Sequence, residues 1–289
     1  MKIRAPAKIN LTLRVVGKRT DGYHLLDTIM LPVSLFDEID IRKARLQVIG
    51  KRNCGPRVEV TCDHPMVPGD ETNLAHRAAS LLLKRARSRQ PIEIHIRKRI
   101  PLGAGLGGGS TDAAATLVGL NRLLKLRLTT QQLERIGLSI GADVPFFIRG
   151  RPARARGIGE RLNRLRGVPR FWLVLLYPGF PVSTAWVYRN LRVKLTKPSV
   201  NTSIASSLKS IPKRGGLLVN DLETVTIKKY PQIGLLKIRL ANAGAGSVLM
   251  SGSGSSVFGI FSSKRRAQEA FRRLRQEEGA QTFLVRVLS

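Results

Sequence analysis

PLGAGLGGGSTDAAA, residues 101–115, joins two patterns of different period. Before it, Ile92, Ile94 and Ile96 alternate with Glu93, His95 and Arg97, the period of a strand with one buried face. After it, Ala113, Ala114, Leu117, Val118 and Leu124 fall on one stripe of a helix expected from Thr111 to about Lys125. Strand, glycine loop and helix thus follow directly. Five of the seven residues from Gly103 to Gly109 are glycine, and a backbone without side chains approaches phosphate oxygens closely. Ser110, Thr111 and the free amides of the first turn lie at the positive end of the helix dipole, which favours an anion. A tight turn accounts for two glycines but hardly for five. A Walker A loop needs a lysine where Gly109 stands, so that signature fails. The dinucleotide fingerprint is met at Gly103, Gly105 and Gly108, but its acidic residue about 20 positions later is missing, the next one after Asp112 being Glu134 inside a helix.

Towards the N-terminus, Ile9, Leu11, Leu13 and Val15 alternate with Lys8, Asn10, Thr12 and Arg14, which predicts a strand with Lys8 and Asn10 on one face. Read alone, Lys8 is a solvated side chain. Residues 20–24 break the strand with a turn that carries Tyr23 and His24, a pair suited to stacking and hydrogen bonding a base. Strand character resumes from Ile29 to Ile41, and a helix is expected from Asn73 to Arg87 behind Asp70, Glu71 and Thr72. Beyond the glycine loop a second helix opens at Thr129, with Gln132 completing a capping box, and ends at Gly141. GADVPFF, residues 141–147, then sets Asp143 among apolar neighbours in a chain short of carboxylates. That setting suits a general base for an alcohol, while taken alone a helix cap is the plainer account.

Arg149 to Arg166 holds seven arginines opposed only by Glu160, and the domain boundary is expected near Arg151 to Arg166, giving lobes 1–160 and 161–289. From Phe171 onward a strand (172–176), three helices (183–190, 222–230, 233–242), a hairpin (248–261), a helix (264–276) and a strand (282–288) make a second α+β unit. The cluster from Lys194 to Lys213 reads as a loop. Cys54, Cys62 and His64 lack a fourth ligand at zinc-like spacing and read as packing residues.

The 289 residues hold enough apolar side chains, 43%, to bury a core, which excludes a small stapled scaffold and a disordered chain. Lys2, Arg4 and Lys8 interrupt any signal-like apolar run, and two cysteines make no disulfide framework, so a cytoplasmic setting is expected. The longest apolar stretch, Phe171 to Tyr177, is far below the roughly 20 residues that cross a bilayer. Charge is the departure: 50 Lys and Arg against 19 Asp and Glu leave +31, which attracts phosphate-rich partners.

Taken together, PAKINLTLRVVGKRTDGYHLLDT (6–28), the glycine loop, GADVPFF, VNDLE (219–223) and LMSGSGSSVFGIF (249–261) resemble the motifs of the GHMP kinases. The resemblance spans nearly the whole chain and implies an α+β fold of two lobes with the active site in the cleft between them. KINLTLRVVGKRTDGYH narrows it to the branch that phosphorylates the 2-hydroxyl of 4-diphosphocytidyl-2-C-methyl-D-erythritol with ATP and Mg²⁺, in isoprenoid precursor synthesis. Carried over, it implies Asp143 as catalytic base, Lys8 as its cationic partner and Asn10 as a positioner of the acceptor. Tyr23 and Tyr188 would stack on the two faces of the cytosine, with Tyr177 a rival to Tyr188, and His24 would read its edge. Pro101, Leu102, Gly103, Ala104, Gly105, Leu106, Gly107, Gly108, Gly109, Ser110 and Thr111 would wrap the ATP phosphates, with Asn73 near the adenine. No metal ligand is assigned. The alternatives are another GHMP kinase, on a sugar, homoserine or mevalonate, or a basic nucleic-acid-binding protein. For the kinase, nucleic acid would bind weakly and without sequence preference, and no membrane is expected.

Overall fold

Ile9, Leu11, Leu13 and Val15 point inward along β1 (Lys2–Lys18), and all four are buried. The computed structural model describes residues 1–44, 58–192 and 218–288. Cys54 and the Lys194 to Lys213 cluster fall outside the described residues. The chain divides into two compact units. The first comprises Met1–Ala7, Phe36–Ile100 and Gly108–Gly150, and the second comprises Lys8–Leu35, Pro101–Gly107 and Arg151–Ser289. A single cut at residue 160 divides the chain in order, whereas the compact units interleave. The reason is that β1 and β2 (His24–Lys43) are long enough to serve both, at 17 and 20 residues.

In the first unit, β4 (Ile92–Arg97) runs antiparallel to the end of β2 and parallel to β3 (Val58–Cys62). Ile92, Ile94 and Ile96 face inward as their alternation demands. Helices α1 (Leu74–Arg85), α2 (Gly108–Leu123), α3 (Thr130–Leu138) and α4 (Val144–Arg149) complete the unit. Thr129 caps α3 with the expected reciprocal box to Gln132. Helix α2 lies close to the sheet because it lacks a side chain at Gly119, where a Cβ would stand 2.6 Å from the Ile41 Cδ1.

In the second unit, β1 lies between β2 and the short β8 (Val219–Asn220), which pairs in parallel through Thr12 and Val219. The first unit ends at Gly150 and the second resumes at Arg151, at the start of the stretch Arg151 to Arg166 where a boundary is expected. Within that stretch lie two strands, β5 (Ala153–Gly157) and β6 (Arg161–Arg164). Strand β5 joins the first half of β2, and Arg154 is buried there against Asp27, with its Nε 2.7 Å from Oδ1. A dense run of arginines signals exposure only when no carboxylate waits for one of them. The second sheet is antiparallel in the order β11-β7-β10-β9, from β7 (Trp172–Tyr177), β9 (Ser247–Met250), β10 (Val257–Phe261) and β11 (Gln281–Arg286). Its core gathers Leu176, Val257, Met250 and residues of α5 (Thr184–Asn190), α7 (Pro231–Asn242) and α8 (Lys264–Arg275). A further helix, α6 (Glu223–Lys229), precedes α7.

Candidate active site

The glycine loop is held by its carbonyls. The oxygens of Leu102, Gly103, Ala104, Gly105 and Leu106 accept hydrogen bonds from the Tyr177 hydroxyl (3.2 Å), Val182 N–H (3.0 Å), Ser256 N–H (3.1 Å), the Ser251 hydroxyl (3.0 Å) and Lys8 N–H (2.9 Å). In a trans peptide the N–H points opposite to its C=O. Each pinned carbonyl therefore leaves the amide of the following residue, 103 to 107 in turn, facing away from that carbonyl's partner. Gly103, Gly105 and Gly107 have φ of +58°, +75° and +76°, a conformation that side chains disfavour. At Gly105 a Cβ would run into the Ser251 carbonyl oxygen.

The helix after the loop starts at Gly108, three residues before the expected Thr111. Glycine propensity argues against a helix there, but close packing favours glycine at Gly108, where a Cβ would lie 2.9 Å from Lys98 Nζ and 3.3 Å from Ile100 Cγ2. Ser110 and Thr111 consequently sit inside the first turn, with Thr111 buried.

Lys8 is buried, 5% exposed, so the solvated reading of this lysine is overturned. Its Nζ donates to Asn10 Oδ1 at 2.6 Å, on the face the strand period predicted. Asn10 Nδ2 donates onward to Thr28 Oγ1 at 2.8 Å, which orients the amide from β2. Gly252, at φ +55°, lies against the glycine loop, since a Cβ there would stand 3.0 Å from the Gly105 carbonyl oxygen. Asn220, in the VNDLE segment, was not singled out from sequence. Its Nδ2 binds the carbonyls of Met250 and Gly252 (2.9 and 2.8 Å) and fixes the SGSGS turn that in turn holds Gly105. A lone buried asparagine leaves no periodic signal, so only the partner could reveal it.

Tyr23 stands 61% exposed at the tip of the β1–β2 connection, where Gly22 takes φ +89°. The ring stacked on Tyr188 is that of His24, with centroids 5.2 Å apart. Tyr188 is carried by α5, which is seated by buried Val187 and by Trp186 edge-on to Tyr230. The rival Tyr177 is buried and engaged with Leu102. In the first unit, Asn73 caps α1: its Oδ1 accepts from Ala75 N–H at 2.8 Å while Nδ2 donates to the Pro68 carbonyl. Asp143 precedes α4 and is half-buried, but its side chain makes no capping hydrogen bond, so the cap does not explain it. Among the described residues no group of three His, Cys, Asp or Glu side chains is placed to hold a metal ion. Cys62 is half-buried, and burial pushes its thiol above the ordinary range.

Similarity to known proteins gives the class, the GHMP kinases. The descriptions "GHMP kinases N terminal domain" and "GHMP kinases C terminal" match residues 73–151 and 205–281. The chain is 48% identical over 288 residues to the 4-diphosphocytidyl-2-C-methyl-D-erythritol kinase of Citrifermentans bemidjiense, covering 100% of this chain and 99% of that protein. It is 46% identical to the enzyme of the same name from Syntrophotalea carbinolica, over 97% and 96% of the two chains. A crystal structure of 4-(cytidine 5'-diphospho)-2C-methyl-D-erythritol kinase superposes with a TM-score of 0.83 at 36% identity, covering both chains fully. A homoserine kinase from Cytophaga hutchinsonii shares the fold, with a TM-score of 0.72 at 20% identity over 100% of this chain and 97% of that one. The chain belongs to the GHMP kinases, within the family of the 4-diphosphocytidyl-2-C-methyl-D-erythritol kinases. Among the described residues no helix is long and apolar enough to cross a membrane.

Proposed function

We propose that the protein transfers the γ-phosphoryl group of ATP to the 2-hydroxyl of 4-diphosphocytidyl-2-C-methyl-D-erythritol, giving the 2-phosphate and ADP. The observation that carries this reading is the loop whose five carbonyls are all engaged and whose amides face away from those carbonyls' partners, on a chain 48% identical to a kinase of that name. Phosphoryl transfer leaves little covalent work to the protein, so alignment and charge stabilisation dominate. In this assignment Asp143 accepts the proton of the acceptor hydroxyl as its oxygen bonds to phosphorus and the bond to ADP breaks. Lys8, held by Asn10, supplies positive charge to the reacting oxygen, and Asn10 sets the acceptor's position. Residues 101–111 wrap the triphosphate, and Asn73 borders the adenine. Tyr23 and Tyr188 hold the cytosine by stacking, and His24 meets its hydrogen-bonding edge. Engagement of Tyr177 with the loop supports Tyr188 over its rival. Mg²⁺ belongs to the reading as companion of the ATP phosphates. No residue of this chain is assigned to it, and no step is derived through it. A cytoplasmic location goes with both substrates.

A coupled ADP-release assay offers the cytidylyl substrate, mevalonate, homoserine and galactose in turn. Turnover confined to the first is expected. Turnover on another acceptor, with none on the cytidylyl compound, overturns the reading.

A further inference from the structure

Outside the residues assigned above, the most heavily buried charges of the first unit form one cluster at the root of the glycine loop. Lys98 follows β4 directly, and its side chain is only 3% exposed. Its ammonium lies 2.6 Å from Asp37 Oδ2 and 2.7 Å from Asp112 Oδ2. Asp37, on β2, also accepts from the backbone N–H groups of Arg99 (2.6 Å) and Ile100 (2.8 Å), the last two residues before Pro101. Asp63 Oδ1 accepts from Lys98 N–H at 2.8 Å. Asp112 sits in the second turn of α2, just past the other end of the loop. Gly108 leaves the space through which the ammonium reaches it.

The chain therefore enters the loop tied to Asp37 and leaves it tied, through Lys98, to the same carboxylate. We infer that the Lys98–Asp37–Asp112 cluster is a clasp closing the ends of the 101–107 loop, with Lys98 the positioning residue that makes the loop competent for the triphosphate. This rests on the kinase reading above. The engaged carbonyls hold the body of the loop and the clasp fixes its two ends, which matters where three of seven residues are glycines at positive φ with wide conformational freedom. Closing it before the ligand arrives removes that cost from binding. A buried ion pair serves positioning better than stability, because desolvating the charges offsets much of their attraction.

The clasp is also unevenly satisfied. Asp112 Oδ1 is buried and accepts no hydrogen bond among the described residues. Two carboxylates share one ammonium, so the cluster carries one negative charge when both are ionised and none when Asp112 holds a proton. Burial, opposed by Lys98 and reinforced by Asp37, raises the Asp112 carboxyl to about 7. Burial lowers the Lys98 ammonium, but the charges of Asp112 and Asp37 more than reverse this and hold it above its ordinary value. The groups that bear on Asp112 are Lys98 and Asp37, with Asp63 and Cys62 beside them at the end of β3. The extra negative charge acquired above neutrality lies at the base of an anion-binding loop and opposes the triphosphate.

The test uses the full chain with Lys98→Met and Asp112→Asn, each checked for folding by circular dichroism and thermal midpoint. Calorimetric titration with ATP and, separately, with the cytidylyl substrate reads the effect. Lys98→Met is expected to weaken ATP by about 10- to 100-fold, the scale of losing the support of a binding group, and to leave the cytidylyl substrate within about twofold. Should Lys98→Met not fold, Asp112→Asn carries the test. The ratio of its ATP affinity to that of the wild type, in which the ligand's own ionisation cancels, should rise about three- to tenfold from pH 6 to pH 8. A flat ratio, unchanged ATP affinity in a folded Lys98→Met, or equal weakening of both ligands overturns the clasp. A wild-type protein that binds no ATP defeats the kinase reading itself, and the clasp with it.

Discussion

The imidazole of His24 lies stacked on the ring of Tyr188, with centroids 5.2 Å apart and planes inclined by 27°. Partial burial and the nearby charge of Lys18 lower the pKa of His24 from its ordinary 6.5, which favours the neutral ring, with one donor and one acceptor, for a base edge. Removing Tyr188 takes away the stacking surface and the support of His24 together. Tyr188→Ala should raise KM for the cytidylyl substrate by a factor corresponding to about 1 to 3 kcal/mol. KM for ATP should hold. Tyr23→Ala should act in the same direction. Because the native pKa is depressed, KM for the cytidylyl substrate should stay flat down to about pH 6.5 and rise only at lower pH, as the ring gains charge. Steady-state kinetics from pH 5.5 to 8 check both, and a Tyr188→Ala effect shared equally with ATP would contradict the assignment.

Asp143→Asn preserves size and removes the proton-accepting charge. The expected outcome is a fall in kcat of about 10² to 10⁴ with both ligands still bound, the pattern of a lost general base. Helix α4 should be undisturbed, since the Asp143 side chain does not cap it. Near-wild-type turnover would remove Asp143 from the reaction.

Gly105→Ala tests the loop's geometry with one methyl group. Its φ of +75° disfavours alanine, and the Cβ would strike the backbone carbonyl of Ser251, which cannot swing aside as a side chain does. ATP binding should be lost and the thermal midpoint lowered. Gly22→Ala, at φ +89° with nothing near its Cβ, carries the backbone cost without the clash and should have the smaller effect on both.

Stability should depend on pH through Asp112. Its native value of about 7 lies above the ordinary 3.8, so between these limits the folded state keeps a proton that the unfolded chain releases. Stability from this group is present below about pH 4 and is lost as pH rises through 7. Urea unfolding of wild type and Asp112→Asn should show the variant gaining on the wild type from pH 4 to 7, then running parallel. A difference that does not vary with pH would show that Asp112 is ionised throughout.

The +31 charge is expected to bind nucleic acid weakly, without sequence preference and with steep salt dependence. Six basic residues of α8 are exposed: Lys264, Arg265, Arg266, Arg272, Arg273 and Arg275. Reversing Arg265, Arg266, Arg272 and Arg273 to glutamate should weaken retention on a DNA oligonucleotide at low salt and leave kcat unchanged. Sequence-selective binding that survives high salt would bring the nucleic-acid reading forward.

The alternation in β1 and β4, the stripe of α1, the Thr129 capping box and the glycine content of the loop were all legible because each depends on residues a few positions apart. The grouping of Lys8 with Asn10 on one strand face belongs to the same class, and so does the family, whose motifs are short and ordered along the chain. The burial of Lys8 and Arg154 was not legible, since charge alone argues for exposure until Thr28 orients Asn10, or Asp27 meets the guanidinium across 127 residues. Nor did glycine content say where α2 begins or which way the loop amides point. Those depend on Lys98 beneath Gly108 and on Ser251, Ser256, Tyr177 and Val182 holding the carbonyls. Local pattern determined which segments are strand, loop and helix, because propensity and periodicity are short-range. Tertiary structure alone decided which charges are buried and which backbone groups remain for a ligand, because each such group finds its partner only when distant segments meet.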